Sequence, residues 1–294
     1  MRIRSRNIVA PAWGNDHERG ASVLVDLNTV TGFAPATDAT WRDGDAWLGG
    51  GTWLFSQPQP RVRRLLDLDA FGWAPLRESA DGLTVAATCT LARLASWRPA
   101  DPRLDGAATL ARQCCHALLG SFKVHNVATV GGNICLSLPA GPMTSLAAAL
   151  DGTALLRAPD GTRREVPVAA FVTGDGRNAL RPGELLSHVS LPAAALTART
   201  AFRQLSLSAV GRSAVLVIAR RDAGGGTVVT VTASVPHPVQ LRFPAPPARA
   251  EALAALDAAL DAGSGYLDDV HGAGSWRAAM TRRLITEALG ELAR

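Results

Sequence analysis

Two glycine clusters are the places in this 294-residue chain where backbone and side chains together suit the holding of a ligand. In the first, Trp47-Leu48-Gly49-Gly50-Gly51-Thr52-Trp53-Leu54, three glycines and a threonine directly follow a short apolar run, so successive amides can line up on an anion. In the second, Asn126-Val127-Ala128-Thr129-Val130-Gly131-Gly132-Asn133-Ile134-Cys135, a β-branched run ends at two glycines. There the backbone can take positive φ, or approach a bulky ligand with no Cβ in the way. Thr129 and Asn133 flank the pair with a hydroxyl and an amide, uncharged groups suited to pyrophosphate and sugar oxygens. A plain glycine turn explains either cluster taken alone. Two of them roughly eighty residues apart point to one extended ligand bridging both.

Other chemistries find less support. Gly49-x-Gly51 begins the dinucleotide fingerprint of a Rossmann fold, with Asp67 or Asp69 near the expected distance downstream. Leu54, however, occupies the third glycine position. A G-x-S-x-G elbow or S-x-x-K pair for hydrolysis is absent. Histidines 17, 116, 125, 188, 237 and 271 are dispersed, each readable as a surface or satisfied side chain rather than a metal ligand. The cysteines at 89, 114, 115 and 135 have neither C-x-x-C nor iron–sulfur spacing, which predicts buried thiols and no cluster carried by this chain. Cys135 stands apart through its place beside the second glycine cluster.

The elements that must position these residues read as an α+β protein. Ser22 to Leu27, Asp45 to Leu48 and Arg63 to Leu68 are short apolar runs expected as strands. Ser56-Gln57-Pro58-Gln59-Pro60 arrives too early for an ordinary helix after Thr52, so loop amides rather than a helix dipole are expected to act there. Leu104 to Leu119 has helical spacing and leads into the second cluster; Met143 to Leu150 is a further helix. Ala154 to Arg157 and Arg164 to Val168 flank Asp160-Gly161, a hairpin turn. Ser213 to Arg220 and Thr227 to Val235 read as antiparallel strands, followed by helices over Glu251 to Ala262 and Trp276 to Leu292, the latter with Ser275 as N-cap. The expected division is residues 1–195, with an internal boundary near 100, and 196–294.

Composition bounds the class. Hydrophobic residues at 47% and charged residues at 19% describe a globular chain, and the net charge of +5 comes from 30 basic and 25 acidic residues. The arginines are scattered and no nucleic-acid-binding motif occurs, so they read as solvated surface and partner contacts. The basic start Met1-Arg2-Ile3-Arg4-Ser5-Arg6 leads into no apolar run, and no stretch approaches about 20 apolar residues. A cytoplasmic protein without a membrane span is the expectation.

The order of motifs then resembles the FAD-binding subunit of the molybdenum hydroxylases, the xanthine dehydrogenase and carbon monoxide dehydrogenase family. The resemblance is carried by the triple-glycine loop, Leu65-Leu66-Asp67-Leu68, Leu83-Thr84-Val85-Ala86-Ala87-Thr88-Cys89-Thr90-Leu91-Ala92, Asn126 to Asn133, and Arg181-Pro182-Gly183-Glu184-Leu185-Leu186 ending at Leu191-Pro192. It covers residues 20 to 220 and, more weakly, the remainder. It implies a two-subdomain FAD-binding domain of the vanillyl-alcohol-oxidase/PCMH type followed by a small domain of antiparallel sheet and helices. It also implies that Leu48, Gly49, Gly50, Gly51, Thr52 and Trp53 hold the pyrophosphate from one side and Thr129, Gly132 and Asn133 from the other. Cys135 and Leu186 match positions near the flavin. Arg203 matches a basic residue close to the ring, or is an ordinary exposed charge. The implied partners are a molybdopterin-binding large subunit and a [2Fe–2S] small subunit, with NAD or another acceptor receiving electrons.

Departures from the family pattern keep two alternatives open: a stand-alone FAD-dependent oxidoreductase of the same fold, and a non-catalytic homologue with weakened FAD binding. Pro142 stands where family members carry an aspartate suited to cofactor hydroxyls. Loss of a charge-assisted hydrogen bond worth about 1.5 to 3 kcal/mol lowers affinity by about one to two orders of magnitude unless Ser137 or a main-chain group substitutes. Phe122, Lys123 and His125 replace a more usual arginine-containing stretch, and Leu207 and Ser208 stand where an arginine pair is common.

Overall fold

The computed structural model describes residues 29–263 and 265–294, and the expected strand at Ser22 to Leu27 lies outside them. The first described unit is a parallel sheet of three four-residue strands, β1 (Gly32–Pro35), β2 (Asp45–Leu48) and β3 (Arg64–Asp67), in the order β1-β3-β2. Leu65 and Leu66 are both buried, one on each face of its central strand. Its edge is held by a buried ion pair, in which the Asp45 carboxylate accepts from Arg64 Nε at 2.8 Å and Nη2 at 2.6 Å and from the Arg42 amide at 2.9 Å. No helix follows β2; residues 52–56 form turns, as the prolines at 58 and 60 require.

Next come β4 (Leu76–Ser79), β5 (Gly82–Ala86), α1 (Leu91–Ala95), α2 (Asp105–His116), α3 (Phe122–His125), α4 (Val130–Leu136), α5 (Pro142–Ala149), β6 (Thr153–Arg157) and β7 (Arg163–Pro167). They are followed by α6 (Val168–Phe171), β8 (Val172–Gly174), β9 (Arg177–Asn178), β10 (Leu185–Pro192) and α7 (Ala193–Leu196). Five strands make an antiparallel sheet in the order β4-β5-β10-β6-β7. A bulge between Leu186 and His188 lets Leu186, Val189 and Leu191 all face the helical side, while Leu185 packs with Leu66 on the small parallel sheet. The helix α2 stops at His116, three residues short of its expected end, because Gly120 and Ser121 break the run before α3 begins. Every residue of α5 is buried, matching its small, apolar make-up on all sides.

The last unit is an antiparallel meander of β11 (Arg199–Leu205), β12 (Val215–Arg221), β13 (Thr227–Thr232) and β14 (Val239–Phe243), followed by α8 (Arg249–Asp261) and α9 (Gly274–Leu292). Alternation along β12 sends Val215, Val217 and Ala219 toward α9 and Leu216 and Ile218 into the core that contains α5. This sheet is therefore covered on both faces. The N-cap of α9 is Ala273 rather than Ser275; the Asp268 carboxylate reaches back to the Gly274 amide at 3.2 Å and takes over the capping role. Where α5 ends, Arg220 of β12 donates to the Ala149 carbonyl at 2.7 Å, to Asp151 at 2.5 Å and to Asp222 at 2.8 Å. The fold is α+β. Among the described residues no helix is long and apolar enough to cross a membrane.

Candidate functional site

The two glycine motifs touch. A Cβ at Gly50 would stand 1.7 Å from the Val127 carbonyl oxygen, and one at Gly49 would stand 3.0 Å from Thr129 Oγ1, so the loop after β2 lies directly on the entry to α4. Gly51 has a different reason to be glycine: its φ is +69°, and the Phe55 ring comes within 2.4 Å of where its Cβ would be. The Phe55 amide donates to the Gly51 carbonyl at 2.9 Å, closing the turn. Among the described residues, no hydrogen bond occupies the amides of Gly50, Gly51, Thr52 and Trp53. Four consecutive donors without a protein partner on a loop with one left-handed residue are left available to a ligand.

The second motif works differently from its sequence expectation. Gly131 and Gly132 lie in the first turn of α4, and neither takes positive φ. Thr129 is the N-cap, its Oγ1 accepting from the Gly132 amide at 3.1 Å. The Val130 amide donates to the Cys89 carbonyl at 2.8 Å, Gly131 to the Ala87 carbonyl at 2.9 Å, and Asn133 to the Thr129 carbonyl at 3.0 Å. These amides are spent on the protein. Gly131 is needed for close packing, since its Cβ would meet Ala87 Cβ at 2.5 Å. What this motif presents outward is a surface without side chain at the exposed Gly132, together with the half-buried Asn133, while Thr129 is buried under the first loop. Asn133 Oδ1 accepts from the Met143 amide at 3.0 Å, which fixes the side chain and leaves its Nδ2 donors outward.

The remaining expected residues are placed as follows. Leu48 ends β2 opposite Asp67, and Trp53 is half-buried with its indole N–H lacking a partner. Cys135 sits on α4, its carbonyl accepting from Asn178 Nδ2 at 2.8 Å, and burial pushes its thiol up to about 12. Leu186 is buried on β10 in the core that contains α4 and α5. Arg203 is not brought to the glycine motifs. It pairs across the sheet with Val217, on the α9 side, and donates to Glu291 at 2.6 Å, with Glu287 at 3.7 Å. Its neighbour Gln204 faces the other way, into an open cavity of about 610 Å³ lined by residues 116–120 and 204–211. Leu119, Leu207 and Val210 expose apolar surface at its rim.

Side chains that sequence reasoning passed over contribute to the same region. Phe55 covers Gly51, Val127 receives Gly50, Asn178 holds the end of α4, and the hydroxyl of Thr144 is buried near Asn133 without a partner. The motif Arg181-Pro182-Gly183-Glu184 is structural. Glu184 accepts from Arg164 at 2.8 and 2.6 Å and from the Arg181 amide at 2.7 Å; Arg164 holds its carboxyl below the ordinary range.

Residues 36–194 match the family described as the FAD binding domain in molybdopterin dehydrogenase. A curated relative, the nicotinate dehydrogenase FAD-subunit of Eubacterium barkeri, is 33% identical over 91 residues, which is 30% of this chain and 30% of that protein. Among solved structures, reconstituted CO dehydrogenase from Oligotropha carboxidovorans aligns with a TM-score of 0.71 at 18% identity, covering 89% of this chain and 96% of that one. Quinoline 2-oxidoreductase from Pseudomonas putida 86 aligns with a TM-score of 0.68 at 19% identity, covering 89% and 97%.

Proposed function

Since the chain belongs to the family of FAD-binding domains of molybdopterin dehydrogenases, we propose that it is the FAD-binding electron-transfer subunit of a molybdopterin-dependent hydroxylase complex. The observation that carries this reading is the contact between Gly50 and Val127, which lays a loop of four unpaired amides on the entry to α4. Uncharged donors of this kind suit a diphosphate, with the Asn133 amide available for a further polar contact. Bound there, FAD supplies the redox chemistry. The protein's own residues bind and orient: Gly50 to Trp53 by their amides, Asn133 by its side-chain nitrogen, and Gly49 and Gly132 by leaving room.

The reading extends to partners. In this reading the iron–sulfur clusters sit on a separate [2Fe–2S] subunit, beside a molybdopterin-binding large subunit, with NAD or another acceptor at the end, as the cysteine spacings of this chain suggest. Residues 1–195 serve FAD in this scheme and residues 196–294 form the C-terminal part.

Titration of the purified chain with FAD, followed by gel filtration, tests the assignment. Retained flavin absorbance near one equivalent is expected; a flavin-free chain at saturating FAD overturns it. Purification from the native source tests the partners. Co-elution with chains containing molybdenum and iron supports the complex, and elution alone removes it while leaving FAD binding intact.

A further inference from the structure

The five-stranded sheet has two unlike faces. Val85 of β5, Leu156 of β6 and Val189 of β10 point into the helical core, and the residues that alternate with them make the other face. The small parallel sheet meets that face where Leu185 packs with Leu66. Beyond it, the register sets Arg157 of β6 directly opposite Arg163 of β7. His188 of β10 lies on the same face opposite Leu155, and Arg77 of β4 lies there opposite Thr84. Among the described residues no ion pair or hydrogen bond holds the guanidinium groups of Arg77, Arg157 or Arg163, whereas the adjacent Arg164, on the other face, is held by Glu184. The Arg157 guanidinium carbon stands 5.6 Å from the centre of the Phe71 ring. Phe71 stacks on Trp73 at 4.6 Å, and Trp73 tilts against His188 at 5.0 Å.

A polar, water-facing side is ordinary for an antiparallel sheet. Two like charges set directly opposite each other are not, because they cost stability. The nearby carboxylates do not relieve them. Glu165 shares the face with Arg163 but forms no ion pair among the described residues, and Asp160 at the hairpin tip accepts from the Thr162 amide at 2.9 Å and hydroxyl at 2.7 Å. Burial first, then the charges of Arg77 and Arg163, push His188 below its ordinary value, so the field over this face is net positive. Arginines beside stacked aromatic rings are the side chains that protein interfaces favour. A pleated face is also flat, whereas small-molecule sites are concave. Guanidinium forks match carboxylates in paired hydrogen bonds. A second copy of this chain docking by the same face would set cations against cations.

We propose that this sheet face docks a carboxylate-rich surface of another protein chain, with Arg77, Arg157 and Arg163 pairing to its Asp or Glu side chains and Trp73 adding apolar contact. The helix α4 packs on the opposite side of the sheet, through Val130 and Ile134, so docking here leaves the glycine motifs open.

The test titrates the full chain into a fluorescently labelled polyglutamate peptide and reads anisotropy. Replacing Arg77, Arg157 and Arg163 together by glutamine raises the Kd about tenfold or more. Replacing Arg199, Arg249 and Arg294 by glutamine removes the same charge from exposed positions elsewhere and changes the Kd by less than about twofold. Arg163→Gln alone melts no lower than wild type, because the like charge opposite Arg157 is gone. Phenylglyoxal modification of the wild-type chain, read by mass spectrometry, locates the contact even if the triple variant folds poorly: the peptide protects Arg77 and Arg163 and leaves Arg199 and Arg249 reactive. A wild-type chain that ignores polyglutamate, equal weakening in both triple variants, or equal reactivity of Arg77 and Arg163 with and without peptide overturns the docking face. A single-stranded oligonucleotide that protects the same arginines at a lower Kd than polyglutamate overturns the protein partner in favour of nucleic acid.

Discussion

Substituting Gly50 by alanine offers the most direct test of the contact between the two motifs. The new methyl carbon would lie 1.7 Å from the Val127 oxygen and 2.6 Å from its carbonyl carbon, both backbone atoms that no rotamer change can move aside. An ordinary carbon–oxygen contact needs about 3.2 Å, so the loop and the α4 entry must part by about 1.5 Å. Overpacking of this kind costs about 3 kcal/mol, and for a chain of this size that lowers the melting temperature by about 6–12 °C. The displacement also lengthens hydrogen bonds from the loop amides to an anion beyond bonding range. Losing one charge-assisted bond of about 1.5–3 kcal/mol weakens FAD by about ten- to hundredfold. Melting curves with and without FAD, with fluorescence titration of the flavin, read both quantities. Gly290→Ala is the control: it lies inside α9 with nothing within 4 Å of the added carbon, and helix propensity favours it by about 0.5–1 kcal/mol. A Gly50→Ala protein that melts and binds FAD like wild type, while the control behaves as stated, refutes the contact.

Three other outcomes follow from described geometry. Arg203→Ala removes ion pairs to Glu287 and Glu291 that are partly exposed, so it costs less than about 1 kcal/mol and leaves FAD affinity unchanged in the same titration. Arg220→Ala opens a nearly buried guanidinium site linking the end of α5 to β12; with both carboxylate partners about a third exposed, the loss is about 2–3 kcal/mol by denaturant unfolding. Hydrogen bonds from Arg164, outweighing burial, hold the Glu184 carboxyl below its ordinary 4.5. A depressed carboxylate contributes stability that is complete above its unfolded value and lost as pH falls through the folded one. Melting temperature should therefore hold from neutral pH down to about 4.5 and fall below it, and Glu184→Gln should flatten that acid limb.

How much of this was legible from the chain depends on whether the determinant was local. The first glycine loop was readable because Pro58 and Pro60 forbid the helix that would have competed with it. The second was read as a loop because two adjacent glycines disfavour a helix. Contacts distant in sequence reversed this: Ala87 and Cys89 accept from the first-turn amides, and a glycine is what lets α4 lie against Ala87. The partners of Arg203 were hidden for a similar reason. The side of a sheet that a residue faces is set by its register with β12, and a run of half-apolar residues does not encode that pairing. Thr144 carried no signal at all, since a threonine in an alanine-rich helix looks like filler until its hydroxyl is found without a partner.

The meander of β11 to β14 has a consequence for how this protein can be divided. Leu216, Ile218 and Ala233 belong to the same apolar core as Leu146 and Ile134, and Arg220 grips the Ala149 carbonyl at the end of α5. A chain ended at residue 195 would strip the wall from the helix that steadies Asn133 and leave α5 facing water. The part that recognises the cofactor and the part that follows it thus share one interior, and neither is a detachable module.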